Sequence, residues 1–94
     1  MSKRRSKLEI VLIVLSGIAD GLDKPTHIMY AANMSWKSTQ KILSQLVEQG
    51  LLEVEYNQDK GRSNRRYGIT EKGINIIDYF EKAREIMPVE KLYS

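Results

Sequence analysis

Cysteine is absent from this chain, so neither a disulfide framework nor a thiolate metal site is open to it. That fits a reducing interior. The single histidine, His27, would leave zinc to be assembled from carboxylates around one imidazole, a poor set for a structural site. His27 therefore reads as a surface or partly buried side chain near the start of a short helix. Carboxylates are scattered over helix faces without a pair placed as general acid and base, and no Gly-rich phosphate loop is present. No catalytic residue, cofactor or metal ligand is expected, and an enzyme is not expected. Long apolar runs are also missing: nothing approaches the roughly 18 apolar residues of a membrane span. Lys3, Arg4, Arg5 and Lys7 before Ile10–Leu15 superficially imitate a signal peptide, but Glu9 interrupts the apolar part and no small-residue cleavage site follows. The expectation is a soluble, unprocessed, cytoplasmic protein without a membrane partner.

What is present suits one compact domain. Ninety-four residues with 41% hydrophobic content can bury one core, and a second domain would have too little chain. The reading is a single domain over 1–94, with a basic tail at 1–6 and a C-terminal helix at 70–87. A net charge of +3 is modest, so its distribution matters more than its size. The excess lies in the tail and in the segment Asn57–Arg66, where Lys60, Arg62, Arg65 and Arg66 face only Asp59. Residues 8–56 lean acidic. The two basic segments are the ones best able to reach a polyanion.

Local signals order the elements. Ser6 and Glu9 are spaced as a capping box, which predicts a first helix over Lys7–Ala19 with Gly21 as a left-handed stop. The β-branched run Ile10–Leu15 could pass for a strand; the caps decide for helix. Because that run is apolar on every side, more than one covering layer is expected. Pro25 or Thr26 opens a short second helix ending near Asn33, and Ser35 caps a third from Trp36 to Gln49. Along the third, Thr39, Ile42, Leu43, Leu46 and Val47 share one side, and Lys37, Lys41, Ser44, Gln45 and Glu48 the other. Gly50 ends it. Leu51–Tyr56 and Arg65–Ile69 read as the strands of a hairpin. Thr70 caps a fourth helix on which Ile74, Ile77, Phe80, Arg84 and Met87 repeat at helical spacing, with Ile76, Tyr79 and Ala83 widening the apolar side, until Pro88 stops it.

A helix-turn-helix followed by a basic hairpin is the element order of a winged helix: α+β, mainly α, with a C-terminal helix. In that arrangement the third helix offers Ser35, Trp36, Lys37, Ser38, Gln40, Lys41, Ser44 and Gln45. Gln matches an adenine edge, Lys a guanine or phosphate, and Ser either, so this face suits base reading or backbone gripping. A plain solvated helix face is the competing explanation. Trp36 lies at the edge of the apolar stripe, where it either staples the helix start to the core or turns its ring to sugar and its N–H to phosphate. Tyr30 and Tyr67 are expected to pack beneath the motif. In the wing, Lys60, Arg62, Arg65 and Arg66 surround Gly61, and Arg donors suit phosphate. Lys3, Arg4 and Arg5 extend this footprint as an arm.

The strings Ser6-Lys-Leu-Glu-Ile10, Ile28-Met-Tyr-Ala-Ala-Asn-Met-Ser35, Leu51-Leu52 and Tyr67-Gly-Ile-Thr-Glu-Lys-Gly73 resemble a known group over nearly the whole chain. They are similar to the small archaeal winged-helix DNA-binding proteins, the crenarchaeal ten-kilodalton chromatin-type family and related archaeal transcriptional regulators. The resemblance implies a homodimer held by an antiparallel coiled coil of C-terminal helices, a nucleoid-associated location and double-stranded DNA as partner. A fourth helix ending before Pro88 is shorter than several heptads require. The expectation becomes a compact dimer in which the fourth helix packs on its mate and on the first helix. The expected function is a dimeric transcriptional regulator that binds double-stranded DNA through helix 35–49 in the major groove and wing 57–66 on the phosphates. A non-specific architectural protein and a winged-helix protein-interaction module are the alternatives. No residue pattern nominates a small-molecule effector.

Overall fold

Each of the first three helices starts and stops where the local sequence supplies partners for its open backbone groups. The computed structural model describes residues 6–57 and 64–86. Helix α1 spans Lys7–Ala19. The Ser6 hydroxyl accepts the Glu9 N–H, and the Glu9 carboxylate accepts the Ser6 N–H, both at 3.1 Å. This reciprocal pair satisfies two of the amides that a helix start leaves open. Helix α2, Pro25–Ala32, begins on a proline whose missing N–H has no intrahelical partner to lose. Helix α3, Trp36–Glu48, is capped by the Ser35 hydroxyl, which accepts the Ser38 N–H at 3.1 Å.

All three helices end in the same way. The residue after the last turn is left-handed, at Gly21 (φ 115°), Asn33 (φ 55°) and Gly50 (φ 79°). The next N–H reaches back five residues, from Leu22 to Gly17, Met34 to Met29 and Leu51 to Leu46. Glycine takes this conformation freely, and Asn is among the few other residues that tolerate it.

Strands β1, Leu52–Asn57, and β2, Asn64–Ile69, pair antiparallel in the register Leu52↔Ile69, Val54↔Tyr67 and Tyr56↔Arg65. These residues share one face. Glu53, Glu55, Arg66 and Gly68 occupy the other. On the edge of β2 away from β1, the Tyr67 N–H donates to the Asp23 carbonyl at 2.8 Å, which ties the hairpin to the α1–α2 loop. Val14, Leu15 and Ile18 of α1, Ile28 and Ala32 of α2, and Ile42, Leu43 and Leu46 of α3 bury together with Leu51, Leu52 and Tyr67. Enclosing a side chain such as Leu15, Ile28, Leu43 or Leu52 contributes about 1.5–3 kcal/mol.

Helix α4, Glu71–Ile86, is locked on at its first turn. The Thr70 hydroxyl accepts the Gly73 N–H at 3.1 Å and donates to the Gly50 and Leu51 carbonyls at 2.7 and 3.0 Å. Lys72 Nζ donates to the Gln49 carbonyl at 2.8 Å, capping the end of α3 from outside. Gly73 is buried so closely that an added Cβ would fall on the Leu51 carbonyl oxygen and the Ile69 side chain. This contact sets the rotation of α4. Ile76 and Ile77 pack against the core, whereas Ile74, on the same apolar side, is 44% exposed within the single chain. Met87 and Pro88 lie outside the described residues. On α1, Ile10, Val11 and Ile13 are half-buried and Leu8 is exposed, so the described chain covers this apolar helix fully on one side alone.

Among the described residues, Tyr67 is the one tyrosine in the core. Burial raises its pKa above the ordinary 10.0; nearby Arg65 opposes the shift and Tyr56 adds to it. A raised folded-state pKa means that the neutral phenol is stabilised by folding. That contribution is complete below pH 10 and is lost as pH rises through the folded value. Alkaline absorbance titration should therefore find Tyr67 ionising above the ordinary 10.0, and Tyr67→Phe should remove part of the alkaline loss of stability. Gly73→Ala should destabilise by about 1–3 kcal/mol in urea denaturation, because the obstacle is backbone and cannot rotate away.

Candidate nucleic-acid interface

The buried stripe of α3 determines what its outer face offers. With Thr39, Ile42, Leu43 and Leu46 turned inward, Lys37, Lys41 and Ser44 line the opposite side at helical spacing and are exposed. Glu48 ends that line at the last residue of α3, away from the basic start. Ser35 and Ser38 are exposed at the N-terminus, their hydroxyls 3.0 Å apart, and Thr39 donates its hydroxyl to the Ser35 carbonyl at 2.8 Å. The first turn of α3 is thereby held rigid beside its positive dipole end.

Gln40 and Gln45 flank this line and are half-buried. Gln40 is the less settled of the two. Its Nε2 is enclosed and has no hydrogen-bond partner among the described residues, a condition that costs about 1–3 kcal/mol for a buried polar group. An outward rotation would relieve that cost and bring the amide to the exposed face.

Trp36 is 46% exposed at the start of α3, so its side chain is partly covered and partly open. Tyr30 corrects the expectation that it packs beneath the motif: it is 75% exposed, because Ile28 and Ala32 turn the buried side of α2 inward and carry Tyr30 to the other. Tyr30 and Trp36 are thus both exposed on the helix-turn-helix. Tyr67 does pack beneath, as the buried end of the wing.

Strand alternation separates the two wing arginines that the structure describes. Arg65 lies on the face of Tyr56 and Tyr67; Arg66 lies on the face of Glu55. Arg66 Nη1 donates to Asp23 Oδ2 at 3.2 Å across an exposed ion pair. Tyr56, 64% exposed beside Arg65, and Asp23 were not singled out from sequence. Tyr56 could have been found by extending the alternation outward from Val54. Asp23 could not, because it stands 43 residues from its partner. Lys3, Arg4, Arg5, Lys60 and Arg62 lie outside the described residues. Among the described residues there is no group of acidic and histidine side chains that could hold a metal ion. No described helix is long and apolar enough to cross a membrane.

Comparison with known proteins agrees with this architecture. A family model described as a winged helix-turn-helix matches residues 4–88. An uncharacterized protein of Methanocaldococcus jannaschii is 27% identical over 84 residues, covering 89% of this chain and 78% of that protein. Among solved structures, Sso10a-2, a DNA-binding protein from Sulfolobus solfataricus, aligns with a TM-score of 0.76 and 30% identity over 95% of this chain and 86% of that one. Streptococcus pneumoniae FabT in complex with DNA aligns with a TM-score of 0.68 and 19% identity, over 88% of this chain and 57% of that one, a likeness of fold alone. Of these, Sso10a-2 is a DNA-binding protein and FabT is seen in complex with DNA. The chain belongs to the winged helix-turn-helix family and, within it, to the small archaeal group related to Sso10a-type proteins.

Proposed function

We propose that this protein is a dimeric regulator that binds double-stranded DNA, with α3 in the major groove and the basic wing on the phosphates. The observation that carries the reading is the exposed face of α3, where Lys37, Lys41 and Ser44 stand together and Glu48 appears only at the far end. Ser35, Trp36, Ser38 and Gln40 complete the contact, and Lys60, Arg62, Arg65 and Arg66 neutralise phosphates, joined by Lys3, Arg4 and Arg5. Similarity to Sso10a-2, a DNA-binding protein, supports the same partner. The open rings of Trp36 and Tyr30 suit sugar and phosphate contacts at the edge of the groove. Within the cell this places the protein in the cytoplasm, on the nucleoid.

A second reading, architectural binding without sequence preference, is favoured by the absence of arginine from α3. Arginine paired with guanine is the commonest specific contact, and here Lys and Gln would have to replace it. Binding to mixed genomic fragments over a salt series, with the retained fragments sequenced, separates the two. Enrichment of a short symmetric site is expected for the regulator, and salt-sensitive binding without enrichment would establish the architectural role. No binding even at low salt would leave a protein-interaction module. Lys37→Ala should weaken binding to all sequences and shallow the log–log salt slope by about one. Gln40→Ala should change the preference among sequences; equal loss on every sequence would assign Gln40 to the backbone.

The dimer is proposed to form through α4 and α1. Tyr79 and Ile86 are 67% and 83% exposed on α4, and Leu8 is exposed on the incompletely covered α1. Uncovered apolar surface of this kind is what a second copy would bury. Sedimentation at increasing concentration should show a dimer, and Tyr79→Glu with Ile86→Glu should yield a folded monomer that binds DNA more weakly.

A further inference from the structure

Arg65 and Arg66 are neighbours in the chain but differ in electrostatic setting. Arg65 lies on the face of β2 shared with Tyr56 and Tyr67, and has no ion pair among the described residues. Arg66 lies on the opposite face, directly across from Glu55, and its Nη1 is 3.2 Å from Asp23 Oδ2. Asp23 is held there by its backbone, since its carbonyl accepts the Tyr67 N–H, one residue along β2 from Arg66. Both partners remain accessible, with side chains 48% and 39% exposed, so solvent screens the pair and an incoming anion can displace it.

Building on the DNA-binding reading above, we propose that Asp23 is an internal competitor for phosphate at Arg66. In the free chain its carboxylate occupies the guanidinium; on DNA a phosphate takes that place, and the carboxylate is left beside the duplex. The exchange changes the salt dependence in a specific way. A phosphate neutralised by arginine releases a counterion, but a carboxylate stripped of its arginine takes up a cation and repels the neighbouring phosphate. Arg66 therefore adds less net affinity than Arg65 while Asp23 is present, because part of its gain is spent on releasing the carboxylate. Of the two described wing arginines, one is unrestrained and one is restrained from the α1–α2 loop.

A double-mutant cycle in the full-length chain tests this: native, Asp23→Asn, Arg66→Ala and the double variant, with Arg65→Ala beside them. Binding to a mixed-sequence duplex is followed by fluorescence anisotropy over a salt series. Asp23→Asn should tighten binding several-fold at low salt and steepen the log–log slope by about one. Arg66→Ala should weaken binding less than Arg65→Ala in the native background and should abolish the gain in the Asp23→Asn background. Arg65→Ala should weaken binding in the native chain. Unchanged or weaker binding by Asp23→Asn, or an equal cost of Arg66→Ala in both backgrounds, would overturn the proposal and make Asp23 a positioning residue. Asp23→Ser, which keeps the carbonyl bonded to Tyr67, is the second variant, and thermal unfolding of every protein exposes any loss caused by misfolding. If the native chain shows no salt-sensitive binding, the DNA-binding reading falls, and the competitor falls with it.

Discussion

The carbonyl of Leu51 is the point on which the arrangement of the wing and the last helix depends. It accepts both the Thr70 N–H at 3.2 Å and the Thr70 hydroxyl at 3.0 Å, while Gly73 presses against it from the first turn of α4. The end of α3, the base of both strands and the start of α4 therefore meet within a few residues. Lys72 closes the same junction by donating to Gln49. Each hydrogen bond taken alone contributes only about 1 kcal/mol. Their joint effect is geometric, because the angle between the exposed face of α3 and the hairpin cannot change without breaking several of them together.

That rigidity gives a modest net charge a direction. The chain carries only +3, and its acidic residues are not mixed evenly with the basic ones. Lys37 and Lys41 stand on the outer side of α3, whereas Glu53 and Glu55 lie on the face of the hairpin away from the core-packing residues. Arg65 continues the face of Tyr67, where its positive charge opposes the burial-driven rise in the phenol pKa. Arg66, turned the other way, meets Asp23. A chain with the same composition but another strand register would exchange the surroundings of these two arginines, since a shift of one residue reverses every side chain.

Much of the fold was legible because it depends on neighbours in sequence. The Ser6–Glu9 box, the Ser35 cap and the left-handed stops at Gly21, Asn33 and Gly50 are interactions over a few residues, so residue type and spacing suffice to place them. The inward stripe of α3 was legible for the same reason, as one period of one helix. The rotation of α4 was not. Its residues support an apolar side broad enough for several orientations, and the choice was made by Gly73 against Leu51, a contact between elements. The same limit applied to Tyr30. Its aromatic character suggested packing, but the short α2 buries Ile28 and Ala32 and leaves no inward position for it.

The sequence by itself determined the order of the helices, the limits of the first three to within a residue, the hairpin, and the placing of Lys37 and Lys41 on the outer side of α3. These follow from local backbone chemistry and from the 3.6-residue period of a helix. Only the tertiary structure decided which aromatic rings are open, which way α4 turns its isoleucines, and that Arg66 is paired with Asp23 while Arg65 is not. The reason is that these outcomes depend on how separate elements approach one another. That approach is fixed by burial of the shared core and by contacts spanning 43 residues of chain, as between Asp23 and Arg66, which no local pattern encodes.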